Sequence, residues 1–141
     1  MASILPLILA MAAADTAGQA HAGLTPFGRW QTPDRGGIVE LYACGAALCG
    51  KIVGGANPVE RDTKNKNPDL RNRLLMGLVF MTGFRGGPRA WSGGKIYRPA
   101  DGGTYSGTIR LVGENRLTLT GCIVWPLCRT QNWQRIIPPR Q

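Results

Sequence analysis

The chain has 141 residues, with 20 glycines, 10 prolines and a formal net charge of +9. This length suits one domain with a single hydrophobic core and excludes an array of several domains. The basic residues are scattered and do not alternate with a stripe of stacking aromatic side chains, which argues against nucleic acid as a partner.

The N-terminal segment has the pattern of a secretory signal peptide. Residues 4–14 form an apolar run that is too short to span a bilayer, and small residues follow it up to Ala20-His21-Ala22, a candidate cleavage site. No Lys or Arg precedes this run, and the alternative is a buried N-terminal helix of a cytosolic domain. We expect residues 1–22 to be a signal peptide and residues 23–141 to be one domain, periplasmic or secreted.

Removal of this leader changes what the chain can do chemically. His21 is the only histidine, so the 119 remaining residues lack the side chain that most often binds metals and carries acid–base catalysis. Asp15 also leaves, so 17 basic residues against seven acids give a mature net charge of +10. We therefore expect no enzyme, metal or cofactor. No later segment is long and apolar enough for an integral membrane protein.

Short segments with strand patterns follow one another at the spacing of hairpins. They are Arg29–Thr32, Ile38–Ala43, Leu48–Val53, Leu75–Thr82, Lys95–Arg98, Thr104–Leu111, residues 116–123 and Thr130–Ile136. In Thr104–Leu111, apolar and polar residues alternate, as in a strand with one buried face. Leu75–Thr82 is apolar on both faces and predicts a central strand that is covered on both sides. The sequence predicts an all-β fold, a small antiparallel barrel or sandwich of about eight strands.

One long polar segment, Asn57–Asn72, interrupts this series of strands. We expect a structured loop with one helical turn from Pro68 to Arg71. Four of its residues invite a calcium interpretation: Asp62, Asn65, Asn67 and Asp69. Lys64 and Lys66 occupy the alternate positions where a calcium loop needs oxygen ligands, and they would repel a cation. Roles in turns and helix capping are therefore favoured over a metal site.

The four cysteines form two close pairs in the sequence, Cys44 with Cys49 and Cys122 with Cys128. An even number in a small exported domain predicts disulfides, and sequence alone leaves three connectivities open. We favour the two local pairs because Gly45 lies between the first two cysteines and Pro126 between the last two, as in bends between strands. A four-cysteine zinc site is the alternative, although such sites commonly use shorter spacings.

Several short segments, in this order, resemble a known family. They are Gly28-Arg29-Trp30, Ile38-Val39-Glu40-Leu41-Tyr42, Leu48-Cys49-Gly50-Lys51-Ile52-Val53, Asp62 with Lys64-Asn65 and Asn67-Pro68-Asp69, Met76-Gly77-Leu78, Trp91 with Gly93-Gly94-Lys95-Ile96-Tyr97, Asp101-Gly102-Gly103-Thr104-Tyr105-Ser106-Gly107, and Arg129-Thr130-Gln131 with Trp133-Gln134-Arg135. Together they resemble the bacterial exported family called domain of unknown function 2147, from about Gly28 to Arg135.

The resemblance implies a lipocalin-like, up-and-down antiparallel β-barrel, and it implies no particular chemistry. Lipocalins carry Gly-x-Trp on the first strand and a basic residue on the last strand that packs over the Trp. Gly28 and Trp30 match this pattern, and Arg135 is the best basic candidate. We expect these three residues to close one end of the barrel.

Two functions remain open from the sequence. The first is binding of a small apolar or amphiphilic ligand at the barrel by the inward residues Leu41, Ile109, Leu111, Leu117, Leu119 and Ile123, although a packed barrel without a cavity is equally compatible. The second is binding of an anionic envelope component or a protein partner through the basic surface. Salt should weaken the second kind of binding and spare the first.

Catalysis is the third class to consider. The acidic side chains that could form a catalytic pair lie mostly in turns, where they serve the bend; they are Asp34, Glu40, Asp62, Asp69, Asp101 and Glu114. No nucleophile elbow, phosphate loop or metal-ligand motif occurs.

Overall fold

The computed structural model describes residues 25–55 and 57–137. Its strands are β1 (Gly28–Gln31), β2 (Ile38–Cys44), β3 (Ala47–Gly54), β4 (Val79–Gly86), β5 (Ala90–Arg98), β6 (Gly103–Leu111), β7 (Arg116–Val124) and β8 (Leu127–Arg135). A short 3-10 helix, Pro68–Leu70, lies where the sequence predicts a helical turn. Within the described ranges, no helix is long and apolar enough to span a membrane. The predicted signal peptide, residues 1–22, lies outside these ranges.

The eight strands form a closed antiparallel barrel in which each strand pairs with its neighbours in sequence. The barrel closes where β1 meets β8, with Trp30 opposite Arg135 and Gln31 opposite Gln134. The prediction of an up-and-down barrel of eight strands is confirmed. Closure leaves no strand edge unpaired, which protects a small sheet from edge-to-edge aggregation.

The period-two patterns of β6 and β7 explain how these strands form the wall of the barrel. Ile109 and Leu111 are buried, whereas Arg110 between them is exposed. Leu117 and Leu119 of β7 lie opposite Leu111 and Ile109, so the two strands bury one shared face. Cross-strand apolar pairs of this kind set the register, since a slip by one residue would turn every buried side chain outward.

The structure corrects the prediction of a fully covered strand at Leu75–Thr82. Strand β4 begins at Val79, which is 43% exposed, and continues to Gly86. The preceding apolar residues belong to a turn in which the Leu78 amide donates to the Leu75 carbonyl. A short apolar run does not by itself distinguish a strand from a folded loop, and here the loop buries Leu75 instead.

The turns between strands alternate between two ends of the barrel. The closed end comprises residues 25–28 and the β2–β3, β4–β5 and β6–β7 turns, together with Arg135 at the end of β8. The open end comprises the β1–β2 turn, the long β3–β4 loop (residues 55–78), the β5–β6 turn and the tip of the β7–β8 hairpin.

Two disulfides link the local cysteine pairs, Cys44 with Cys49 and Cys122 with Cys128. The first joins the ends of the β2–β3 hairpin at the closed end, and the second joins β7 to β8 at the open end. The part of the chain that the structure describes has no free cysteine. The favoured pairing is therefore the one present in the fold.

We expect the protein purified without reductant to contain no titratable thiol, and peptide mapping to recover only these two pairs. Each bridge closes a short loop, so its reduction should lower the free energy of unfolding by about 2 kcal/mol. Urea unfolding with and without reductant measures this difference. A Cys44–Cys122 or Cys44–Cys128 peptide would contradict the pairing.

Candidate functional site at the open end of the barrel

Five of the six residues expected to line a ligand site are buried in the barrel core: Leu41, Ile109, Leu111, Leu117 and Leu119. The inward position expected for Ile123 is wrong, because its side chain is 73% exposed. The register of β7 and β8 shifts between Cys122 and Val124, so the alternation that holds along β7 ends before Ile123. A bulge of this kind turns the following side chains out of phase with the strand.

Large side chains fill the interior around these five residues. Gly107 and Gly94 face inward, and a Cβ atom at Gly107 would lie 2.6 Å from Cδ1 of Ile96 and 2.8 Å from Cζ of Phe84. At Gly94 the same atom would lie 2.3 Å from the Phe84 ring. Both glycines therefore make room for Phe84 and Ile96, and the space beside them is occupied by protein.

The closed end is sealed by Trp30. Its side chain is fully buried, and its Nε1 donates to the Pro26 carbonyl at 2.8 Å. The guanidinium of Arg135 lies 4.3 Å from the centre of the ring. A cation over an indole face is attracted by about 0.5–2 kcal/mol, so this contact adds to the burial of the ring.

Arg135 also joins three segments of the closed end through backbone carbonyls. Its Nη1 donates to Phe27 at 2.7 Å and its Nε to Glu114 at 2.7 Å, and its Nη2 donates to Thr25. Burial lowers the pKa of Arg135, but a guanidinium stays protonated in proteins. Gly28 has a φ of 114°, and a Cβ there would lie 3.4 Å from Nη1 of Arg135. Any side chain at Gly28 would therefore be strained.

A groove of about 300 Å³ lies outside the closed end, between the β6–β7 turn and β8. Val112, Gly113, Asn115, Arg116 and Gln134 line it. The groove is wide open to solvent and none of its residues is buried. It lies on the opposite side of the barrel from the polar residues that line the open end.

At the open end, a chain of hydrogen bonds leads from the core to the surface. Nε1 of the buried Trp133 donates to Oε1 of Gln131 at 3.0 Å, and Nε2 of Gln131 donates to Oδ2 of Asp34 at 2.8 Å. Gln131 thus lies directly above the apolar core, and Asp34 of the β1–β2 turn lies at the rim. No local sequence pattern predicts this contact, since 97 residues separate Asp34 from Gln131.

A second polar group lies across the opening, at the β5–β6 turn. Asp101 accepts from the Tyr105 hydroxyl, from Nη1 of Arg98 at 3.0 Å and from the Gly103 amide at 2.8 Å. Burial alone would raise the pKa of Asp101, but these three hydrogen bonds outweigh burial and lower it. The bond to Asp101 raises the pKa of Tyr105. At neutral pH the carboxylate is ionised and the phenol is protonated.

Arg129 completes the rim of the opening. It lies on the same face of β8 as Gln131 and Trp133, opposite the inward-facing Gly121, and its side chain is exposed. Among the described residues it has no ion-pair partner, whereas the carboxylates of Asp34 and Asp101 are already hydrogen-bonded. Arg129 therefore offers an available cation beside the opening.

The β3–β4 loop is fixed by a buried carboxylate, Asp62, which is 1% exposed. Oδ2 accepts from Nδ2 of Asn65 and from Nε of Arg73, both at 2.8 Å, and Oδ1 accepts from the Tyr97 hydroxyl of β5. The guanidinium of Arg73 lies 5.3 Å from the centre of the Tyr97 ring. Burial alone would raise the pKa of Asp62, but the bonds from Tyr97, Asn65 and Arg73 outweigh it and lower that pKa.

The two asparagines considered for a calcium site accept hydrogen bonds from backbone amides instead. Oδ1 of Asn65 accepts from the Asn67 amide at 2.8 Å, and Oδ1 of Asn67 caps the 3-10 helix by accepting from the Asp69 amide at 3.1 Å. The turn and capping roles predicted for this segment thus hold for Asn65 and Asn67. The anchoring role of Asp62 was missed, because its partners Arg73 and Tyr97 are distant in sequence.

The fixed loop borders the opening on two sides. Nη1 of Arg35 in the β1–β2 turn lies 3.2 Å from Oε1 of Glu60. On the other side, the Lys64 carbonyl approaches the β5–β6 turn so closely that a Cβ at Gly102 would lie 2.0 Å from it. Across the described ranges, no group of three or more His, Cys, Asp or Glu residues could hold a metal ion.

Comparison with known proteins gives the same architecture. A family described as "Uncharacterized protein conserved in bacteria (DUF2147)" matches residues 28–135, from the first residue of β1 to the last of β8. The fold is similar to a solved structure described as "Protein HP1028 from the human pathogen Helicobacter pylori belongs to the lipocalin family", with 28% identity over 78% of this chain and 82% of that chain and a TM-score of 0.73. No curated protein matches the chain. The chain belongs to the bacterial family DUF2147, and its barrel is lipocalin-like.

Proposed function

We propose that this protein is an exported binding module that holds an amphiphilic ligand with an anionic head group at the open end of its barrel, and that it is not an enzyme. One observation carries the proposal: a rim of polar side chains lies directly above a core that is already filled. A ligand held by this barrel would therefore meet Gln131 and Arg129 rather than the buried leucines. Two disulfides and membership of a bacterial family fit an oxidising compartment outside the cytoplasm.

The guanidinium of Arg129 at the rim favours an anionic head group. Arg129 is exposed and has no ion-pair partner within the described part of the chain, so a carboxylate or phosphate would gain charge-assisted hydrogen bonds there. The side-chain amide of Gln131 could hydrogen-bond to the ligand beside Arg129 if it exchanged its hydrogen bond to Asp34 for one to the ligand. Leu127, an exposed apolar side chain two positions before Arg129 in the sequence, would contact the apolar part of the ligand.

The protonation states at the rim argue for binding rather than catalysis. The lowered pKa of Asp101 and the raised pKa of Tyr105 both move away from neutrality. A general acid or base works best with a pKa near the operating pH, and this pair is tuned in the opposite direction.

The second candidate is binding of an anionic envelope polymer to the outer basic surface. It is favoured by the exposed Lys64, Lys66 and Arg71 of the β3–β4 loop, which form no ion pair with another described residue. Attraction through such separated charges should fall steeply with salt, because the Debye length shrinks from about 10 Å at 0.1 M to about 3 Å at 1 M.

Calorimetric titration with dodecyl phosphate, below its micelle concentration, tests the proposal. We expect Arg129→Ala to weaken binding about tenfold, since it removes hydrogen bonds to a charged group. Arg110→Ala is the matched control, because Arg110 is exposed on the outer wall of β6. Binding should be weakened but not abolished by high salt, because the apolar part does not depend on charge. Equal losses in both variants, or complete loss in salt, would favour the outer surface instead.

A further inference from the structure

The β7–β8 hairpin exposes four large apolar side chains at its tip. Trp125 is 82% exposed, Ile123 73%, Leu127 64% and Val124 61%. The other three tryptophans of the chain are at most 8% exposed. A contiguous exposed apolar patch on a small soluble protein marks a surface that meets another apolar phase or partner. Of this hairpin tip (residues 123–127), the proposed function at the rim uses Leu127 and does not require Trp125.

The hairpin tip is held in place by strand pairing and by a disulfide. The pairing of β7 with β8 continues to Val124 and Leu127, and the disulfide between Cys122 and Cys128 joins the strands just below. Only Trp125 and Pro126 lie between the paired strands. The tip is thus a narrow convex projection with its apolar side chains in solvent.

The hairpin itself carries only positive charge. No Asp or Glu occurs from Asn115 to the end of the chain, and Arg129 lies two positions after Leu127. Lys64, Lys66 and Arg71 are exposed on the β3–β4 loop at the same end of the barrel. An anionic lipid surface attracts basic residues placed close to it, and Trp is enriched where a protein crosses from water into lipid.

We infer that the hairpin tip inserts into the interfacial layer of an anionic lipid bilayer and docks the open end of the barrel on it. A second copy of the chain is a poorer occupant, since a single hairpin tip is small beside the roughly 800 Å² that each partner buries in a stable complex. A convex apolar tip beside a basic surface matches a soft anionic interface in both shape and charge.

Trp125 provides its own reporter, because it is the one exposed tryptophan. With vesicles of phosphatidylethanolamine and phosphatidylglycerol, we expect the protein to co-float and its tryptophan emission to shift to the blue. Trp125→Ser and Leu127→Ser should each weaken binding about tenfold through the loss of buried apolar area. Val112→Ser is the matched control, because Val112 is 53% exposed at the closed end. Pure phosphatidylcholine vesicles should bind more weakly than the anionic ones.

The inference is overturned if the anionic vesicles leave the emission unchanged, or if Trp125→Ser binds them as well as the unmodified chain does. Capture of a protein through the hairpin tip without vesicle binding would also overturn it. Thermal unfolding of each variant checks that the barrel is intact, which we expect for side chains that make few contacts. Dodecyl phosphate titration of Trp125→Ser separates the two proposals. If this variant loses vesicle docking and still binds dodecyl phosphate, docking depends on Trp125 and ligand binding does not.

Discussion

Replacement of Trp30 by alanine should lower the free energy of unfolding by about 3–5 kcal/mol, through loss of a buried indole and the cavity left behind. Trp30 is completely buried where the barrel closes, and it contacts both the N-terminal segment and Arg135. The closed end cannot collapse easily into the space, because Arg135 is held by the carbonyls of Phe27 and Glu114.

Urea unfolding followed by far-UV circular dichroism measures this difference. Trp125→Ala is the matched control, because it removes the same side chain from an exposed position and should change stability by no more than about 0.5 kcal/mol. Arg135→Ala should also destabilise the closed end, since it removes the cation–π contact, the packing of its stem and the hydrogen bonds to the carbonyls of Thr25, Phe27 and Glu114. Equal effects of Trp30→Ala and Trp125→Ala would show that Trp30 does not seal the barrel.

The second large effect is expected at Asp62. Asp62→Asn should lower the free energy of unfolding by about 3 kcal/mol at neutral pH. The variant leaves Arg73 without its carboxylate, and it replaces the charged acceptor of Asn65 and Tyr97 by a neutral amide. Asp69→Asn is the control, since Asp69 lies in the same loop with an exposed side chain and enters no ion pair within the described ranges. Its stability should stay within about 0.5 kcal/mol of the unmodified chain.

The pH dependence of this effect has a defined sign. The folded protein holds the pKa of Asp62 below its value in the unfolded chain, so the folded state binds fewer protons. The stabilisation is therefore complete above about pH 4 and is lost as the pH falls toward the lowered pKa of the folded state. The difference in free energy of unfolding between the unmodified chain and Asp62→Asn should therefore become smaller in acid. A gap that stays constant or widens would contradict the role of the ionised carboxylate.

Much of the wall of this barrel could be predicted from local patterns. Apolar and polar residues alternate strictly in β6 and β7 because each strand has one face on the core and one in water. Ile109 and Leu117 are buried where that alternation predicts. The pattern failed at two places for physical reasons. Leu75 is buried by a folded loop rather than by a strand, and the register shift before Val124 turned Ile123 outward.

The polar residues of the open end could not be predicted in the same way. The contact of Asp34 with Gln131 and that of Asp62 with Tyr97 join residues that are far apart in sequence. Side chains of this type occur in every surface turn, and only closure of the barrel shows which of them meet. The sequence does not predict that Arg129 lies at the opening, because its position on the inward face of β8 depends on the pairing with Gly121.

The indole signals of the four tryptophans in a two-dimensional nitrogen–proton NMR spectrum test the binding site most directly. Nε1 of Trp133 is bonded to Gln131 beneath the opening, whereas Nε1 of Trp30 is bonded to Pro26 at the closed end. Titration with dodecyl phosphate should move the Trp133 indole and the Gln131 side-chain amide and leave the Trp30 indole in place. A shift of the Trp30 indole with an unchanged Trp133 indole would contradict binding at the open end.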